Sequence, residues 1–229
     1  MLRGIIFDFD GVIVDSHPAH LRAWKKFFAS LGRVLSDKEL QFVLDGHKSS
    51  DILKHYLGDI DAERIAEYGR RKEQLFLEEA PTVRTVGGLF NLLEDLNDAK
   101  VAVCIASSGS RNRVSSLLDR LRLKRYFQIV VTGEQVEQGK PHPALFLRAA
   151  LELQLDPAEL MAFEDAVSGV KAARGAGIIC VGVAQRNRAR ALQEAGAVQT
   201  VADFQAVSHS TLQRWFATSV VPRFVSRPA

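Results

Sequence analysis

Apolar residues follow two spacings along this chain. Short unbroken runs, "GIIF" at 4–7, "VAVCIA" at 101–106, "LMAF" at 160–163 and "IICVGV" at 178–183, are separated by stretches where apolar residues recur every three or four positions. The runs lack clean polar alternation, as strands do when both faces of a parallel sheet are covered. Strands are predicted over 3–9, 100–106, 128–131, 160–164 and 178–183. Leu89, Leu92, Leu93 and Leu96, then Val114, Leu117, Leu118 and Leu121, mark amphipathic helices between them. This alternation predicts an α/β fold with a doubly wound parallel, Rossmann-like sheet.

The rhythm breaks over 16–82, where helical patterns follow one another without a convincing strand. Pro18 suits a first helical turn and Gly32 an ending, with Leu21, Trp24, Phe27, Phe28 and Leu31 on the apolar side. Trp24 reads as core. "SDKE" at 36–39 is a capping box for a second helix, "SSDILKHYL" begins a third, and a fourth runs from about 61 to 79. The predicted organisation is a core at 1–15 and 83–218 and an all-helical cap at 16–82. The cap is hinged near Ser16 and Thr82–Val86 and placed to act as a lid. Residues 219–229 read as a loose tail.

Composition changes little in this picture. The 229 residues are 47% hydrophobic and 25% charged, with a formal charge of +3, ordinary for a soluble globular protein. No block of Lys and Arg suggests nucleic acid, and Arg186, Arg188 and Arg190 read as a solvated helix face. No run approaches a membrane span and no cleavable leader pattern is visible, so a cytoplasmic protein is expected, monomeric or weakly dimeric. Cys104 and Cys180 lie inside apolar runs and read as small hydrophobes, with no metal spacing between them.

Ligands of open α/β sheets bind at the carboxyl ends of the strands, so the residues after each strand carry the chemistry. After the first come Asp8 and Asp10, on the same side by strand alternation, then Gly11. After the second come Ser107, Ser108 and Gly109, a hydroxyl-bearing turn before a helix. Lys140 follows the third in "GKPHP", and Glu164 and Asp165 follow the fourth. Singly, each has an ordinary structural explanation as loop, cap or surface charge; their order after successive strands is what points to a site. Crowded carboxylates need a hard cation, and Mg²⁺ takes a few carboxylates together with phosphate and water. The lysine and hydroxyls would hold a phosphate, and the fitting chemistry is phosphoryl transfer through a carboxylate nucleophile. Two ionised carboxylates as close as Asp8 and Asp10 repel each other, a cost offset by a cation or by keeping one of them protonated.

"DFDGVIVDS", "IASSGS", "GKPHP" and "FEDAVSGVKAARGAGI" resemble the four motifs of the haloacid dehalogenase superfamily of phosphohydrolases, over about residues 2–216. The subfamily resembled is that of β-phosphoglucomutase and phosphoglycolate phosphatase, with its helical cap. The resemblance implies Asp8 as nucleophile and Asp10 as the acid that protonates the leaving alcohol and then activates water; in these roles Asp8 must stay ionised and Asp10 must hold a proton on a pKa raised towards neutrality. It also implies that Ser107, Ser108 and Lys140 bind phosphate, and that Asp8, the Asp10 carbonyl, Glu164 and Asp165 hold Mg²⁺. Ala166 and Ala144 depart from residues common in relatives, at positions outside this chemistry.

In the cap, "HPAHLRAWKKF" resembles the first cap helix of the mutase. His20 reads equally as a residue that controls Asp10 and as a partly exposed helix histidine. Ser49 stands where the mutase has an arginine that grips a second phosphate, and the nearest cation, Lys48, does not obviously replace a guanidinium. Lys72 either points inward or lies along its helix as a snorkelling lysine. The expected activity is hydrolysis of a small phosphorylated metabolite, such as a sugar phosphate or phosphoglycolate. The alternatives are a β-phosphoglucomutase and a catalytically silent binding protein. Asp10 argues against a dehalogenase or a phosphonatase, and the lack of membrane spans against an ion pump.

Overall fold

The computed structural model describes residues 1–184 and 186–219, without the side chains of residues 186 and 187. Six parallel strands form the central sheet in the order β5-β4-β1-β6-β7-β8. They are β1 (Gly4–Phe7), β4 (Ala102–Ser107), β5 (Ile129–Thr132), β6 (Leu160–Glu164), β7 (Ile179–Val183) and β8 (Gln199–Val201). The sheet is that of a Rossmann-like α/β core, as predicted. The edge strand β8 is the one the pattern missed: three half-exposed residues carry too little apolar signal.

Alternation along the strands explains the unbroken apolar runs. Ile5 and Phe7 face one layer with Met161 and Phe163, while Ile6 faces the other with Leu160 and Ala162. Helices α4 (Leu89–Asp98), α5 (Arg111–Arg120) and α9 (His209–Ser219) cover the first layer. Helices α6 (Ala144–Leu153), α7 (Val167–Gly175) and α8 (Arg186–Glu194) flank the second. Phe7 stacks on Phe163 at 5.2 Å between ring centres, and Phe204 meets both edge-on at 6.1 and 5.0 Å. This aromatic block lies at the ends of β1 and β6, just before Asp8 and Glu164. Cys104 and Cys180 are buried free thiols, as expected. Among the described residues no helix is long and apolar enough to cross a membrane.

The helical insert comprises α1 (His17–Ala29), a 3-10 helix over Glu39–Leu44, α2 (Ser49–Leu57) and α3 (Ala62–Glu79). It has its own core of Trp24, Phe27, Phe28, Leu40 and Leu53. The Ser36–Glu39 capping box forms, with the Ser36 N–H and Oγ both donating to Glu39 Oε2 at 2.8 and 2.6 Å. It closes the turn that leads into a 3-10 helix, and not the α-helix expected there. A second departure lies at the base: β2 (Val14–Asp15) and β3 (Arg84–Thr85) pair antiparallel, joining the two chain crossings in a ribbon too short to show in the pattern. The tail expected over 219–229 lies outside the described residues, apart from Ser219, which ends α9.

The aromatic block yields a stability test. Phe163→Ala removes the ring shared by both partners and is expected to cost about 3–5 kcal/mol, read as a lower urea midpoint at unchanged slope. A loss within experimental error would show that the block does not brace the strand ends.

Candidate active site

Asp8 and Asp10 flank the carboxyl end of β1, where the backbone reverses at once. The Gly11 N–H donates to the Val14 carbonyl at 2.7 Å, and those of Ile13 and Val14 both reach the Phe9 carbonyl at 3.0 Å. Gly11 has φ +78°, and a Cβ there would stand 2.4 Å from Asp165 Oδ2. Glycine is required both for the left-handed backbone and for the close approach of Asp165.

Lys140 is the centre of the acidic group. Its buried ammonium donates to Asp8 Oδ1 and Glu164 Oε1, each at 2.5 Å. Burial opposes its charge, but Asp8 and Glu164 outweigh this and push its pKa above the usual lysine range. Burial raises Asp8 well above an ordinary carboxylate, against the pull of Lys140, with Glu164, Asp165 and Asp10 adding to the rise. Glu164 is raised as well, again mainly by burial, and its Oε2 accepts from the Ala166 N–H at 2.9 Å. One oxygen from each of Asp8, Glu164 and Asp165 lies within 4.8 Å of the others. Asp165 Oδ2 is buried and accepts no hydrogen bond among the described residues, although His17 Nε2 stands 3.0 Å away and Arg188 Nη1 3.7 Å away. Three converging hard oxygens, one lacking a hydrogen bond, suit a divalent cation.

Asp10 belongs to a different network. Arg113 holds both of its oxygens, at 2.8 and 2.9 Å, while Ser16 Oγ donates to Oδ1 at 2.6 Å and His20 Nε2 lies 3.1 Å from it. Burial raises the Asp10 pKa, but Arg113 and His20 prevail and hold it well below the carboxylate range. Asp10 is therefore not the raised carboxyl that was expected: its pKa is lowered, and it is Asp8 that burial raises, against the Lys140 charge paired with it. The reason is Arg113, which the sequence reading did not single out. Its signal was legible, because position 113 stands four residues before Leu117 on the apolar side of α5.

The insert contributes the other half of this network. Lys72, 2% exposed, points inward from α3; its Nζ lies 3.0 Å from His20 Nδ1, over the rings of Trp24 and Phe76. Burial first, then Lys72, lowers His20 to about 3, so its imidazole is neutral at pH 7. Nδ1 then accepts from Lys72 and Nε2–H donates to Asp10. Trp24 is core, as read, and also lines the site.

A cavity of about 50 Å³ is enclosed by Asp8, Asp10, Lys140, Asp165, Arg113 and Ser108 from the core, with His20, Ser49 and Lys72 from the insert. Ser107 is buried at the end of β4, its Oγ accepting from the Gly109 N–H at 3.1 Å. Ser108 Oγ donates to the Gly46 carbonyl at 2.7 Å, and Lys48 Nζ to the Val136 carbonyl at 2.7 Å. Both bonds seat the insert on the core, so Lys48 is engaged away from the cavity. The Val167 N–H adds a bond to Asp45 Oδ1 at 3.1 Å. Of the arginines read as a solvated face, Arg190 is exposed and pairs with Glu194, Arg188 faces Asp165 instead, and the Arg186 side chain lies outside the described residues.

Lys72 gives a pH prediction. Its pKa is lowered from 10.5 to about 8, first by burial, with Glu73 opposing and Arg113 adding to the fall. Between these values the unfolded chain binds more protons, so stability rises with pH through that window. Wild type is expected to gain up to about 3 kcal/mol relative to Lys72→Met over it, measured by urea unfolding. Parallel stability curves would show that Lys72 keeps an ordinary pKa.

Comparison with known proteins fits this geometry. A profile of haloacid dehalogenase-like hydrolases matches residues 5–183. A phosphorylated carbohydrates phosphatase of Thermotoga maritima is 30% identical over 214 residues, covering 87% of this chain and 94% of the relative. A β-phosphoglucomutase of Bacillus subtilis is 30% identical over 193 residues, covering 80% and 84%. The crystal structure of a haloacid dehalogenase family IA hydrolase from Entamoeba histolytica superposes with a TM-score of 0.84 at 25% identity, covering 94% of this chain and all of the other. A chain matched over most of its length, with the fold and an acidic strand-end cavity to correspond, belongs to the haloacid dehalogenase-like hydrolase family, as one of its phosphohydrolases.

Proposed function

We propose that this protein hydrolyses small phosphate monoesters of the sugar-phosphate kind through a phosphoryl group carried on Asp8. The observation that carries the reading is the placement of Asp8 against Lys140 at 2.5 Å, with Asp10 on the same small cavity. An Asp8 oxygen attacks phosphorus, the bond from phosphorus to the leaving oxygen breaks, and a proton from Asp10 completes the alcohol. Water then attacks the acyl phosphate, Asp10 takes its proton, and inorganic phosphate leaves. Arg113 and His20 favour the ionised Asp10 that the second step needs; protonation for the first step must weaken the Arg113 pair. Lys140 stabilises charge on the transferring group, supported by Ser108, while Ser107 braces the turn. Asp8, Asp165 and Glu164, with the Asp10 carbonyl, would hold Mg²⁺, which when bound offsets phosphate charge. The helical insert acts as the lid that excludes water, and His20 and Lys72 register its seating at Asp10.

The test is phosphate release from a panel of small monoesters with Mg²⁺, with Asp8→Asn alongside. Loss of the nucleophile is expected to lower kcat by at least about 10³-fold, and EDTA to abolish turnover. Undiminished turnover by Asp8→Asn would overturn the aspartyl-phosphate route. The named Bacillus relative keeps one other outcome in view: β-glucose 1-phosphate becoming glucose 6-phosphate, without phosphate release, would make this a mutase.

A further inference from the structure

The phosphate-sized cavity does not stand alone. A second cavity of about 380 Å³ shares Ser49, Ser108, Gly109 and Arg113 with it. On the phosphatase reading, on which this inference rests, the phosphate occupies the small cavity and the leaving oxygen faces Asp10. The leaving portion therefore runs along Arg113 into this second cavity, and not into one of about 530 Å³ that adjoins at His17 and Asp165, on the side of the acidic cluster. The inner wall of the second cavity is made by Arg113 and Glu73. Arg113 is 4% exposed, and its Nε makes no hydrogen bond although Glu73 Oε1 stands 3.3 Å away. Glu73 is fixed by Ser110 Oγ, which donates to Oε1 at 2.6 Å. Burial acts to raise the Glu73 carboxyl, but Arg113, Lys72 and Ser110 hold it below the usual range, so it is ionised.

The charges on this wall are already committed. Arg113 is paired end-on with Asp10, and Lys48 Nζ is spent on the carbonyls of Val136 and Glu137. Arg70 and Glu134 line the cavity from exposed positions and carry opposite charges. A second anion entering here would meet the Glu73 carboxylate, with no uncommitted buried cation among the described residues that line the cavity to receive it. A hydroxyl both donates and accepts, so it suits an open acceptor on Glu73 beside an open donor on Arg113.

We propose that Glu73, together with Arg113, is a specificity-determining pair that reads uncharged hydroxyls on the leaving portion and turns away monoesters carrying a second anion. Selectivity of this kind comes from a repulsive element as much as from attraction.

Sorbitol 6-phosphate and 6-phosphogluconate test it, being of equal length and differing at the far end as hydroxymethyl against carboxylate. Wild type is expected to favour the polyol in kcat/KM by about tenfold or more, and Glu73→Gln to narrow that ratio by about tenfold, since one like charge is removed. Glu73→Asp, which keeps the charge, should retain the preference. A wild type that treats both alike or prefers the acid overturns the proposal, and needs no variant to show it. So does Glu73→Gln turning over both esters with the ratio unmoved. Phosphate release with an unmoved ratio leaves the phosphatase reading standing, whereas no release from any monoester ends both.

Discussion

The ammonium of Lys140 is what the rest of the site depends on. Asp8 and Glu164 are buried beside it, and Asp165 lies close by. Without a cation among them, mutual repulsion and lost hydration would force protonation or local unfolding. Breaking a buried pair by removing one partner costs about 3–5 kcal/mol, because the stranded charge stays behind. Lys140 is thus a structural member of the strand ends as much as a reactive one. It ties the loop after β5 to β1 and β6, the central pair of the sheet.

Two aspartates separated by one residue meet opposite environments, and the division runs along the boundary between core and insert. Asp8 looks into the sheet ends, where acids crowd around one lysine. Asp10 looks towards α1, α3 and α5, where a guanidinium, a neutral imidazole and a hydroxyl converge. Arg113 belongs to the core, but the second environment is complete only with the insert seated, since Ser16 directly precedes α1, His20 lies in it and Lys72 backs His20 from α3. Geometry at Asp10 therefore reports on the position of the insert, while geometry at Asp8 does not.

Much of this was legible in the sequence. Asp8, Asp10, Lys140, Glu164 and Asp165 gather because each lies at or beyond the carboxyl end of a parallel strand, and the strands themselves show as local apolar runs. The insert's helices showed for the same reason. What stayed hidden depends on contacts between distant segments: the β2–β3 ribbon, the seating of residues 45–48 on the core, and the pairing of Arg113 with Asp10. The direction of the Asp10 shift was lost with Arg113, since a pKa follows from neighbours in space. Lys48, the cation nearest Ser49, did not obviously replace a guanidinium; it lines the larger cavity, and its charge goes to backbone carbonyls of the core, a contact between distant segments that spacing does not show.

The two-residue ribbon at the base of the insert has a wider consequence. Paired antiparallel strands hold opposite Cα atoms about 4.5–5.5 Å apart. To the core, everything between Asp15 and Arg84 is therefore equivalent to a tight hairpin turn. Lengthening a closed segment adds entropy cost only logarithmically, about 0.6 kcal/mol for each doubling. The entropy cost of lengthening the material between the two crossings is therefore small for the sheet, provided that Ala19, Ala23, Phe76 and Ala80, which pack into the core cluster, are kept. Such a joint lets a lineage rewrite much of the insert around the few positions, Ser16, His20 and Lys72, that must stay to serve Asp10.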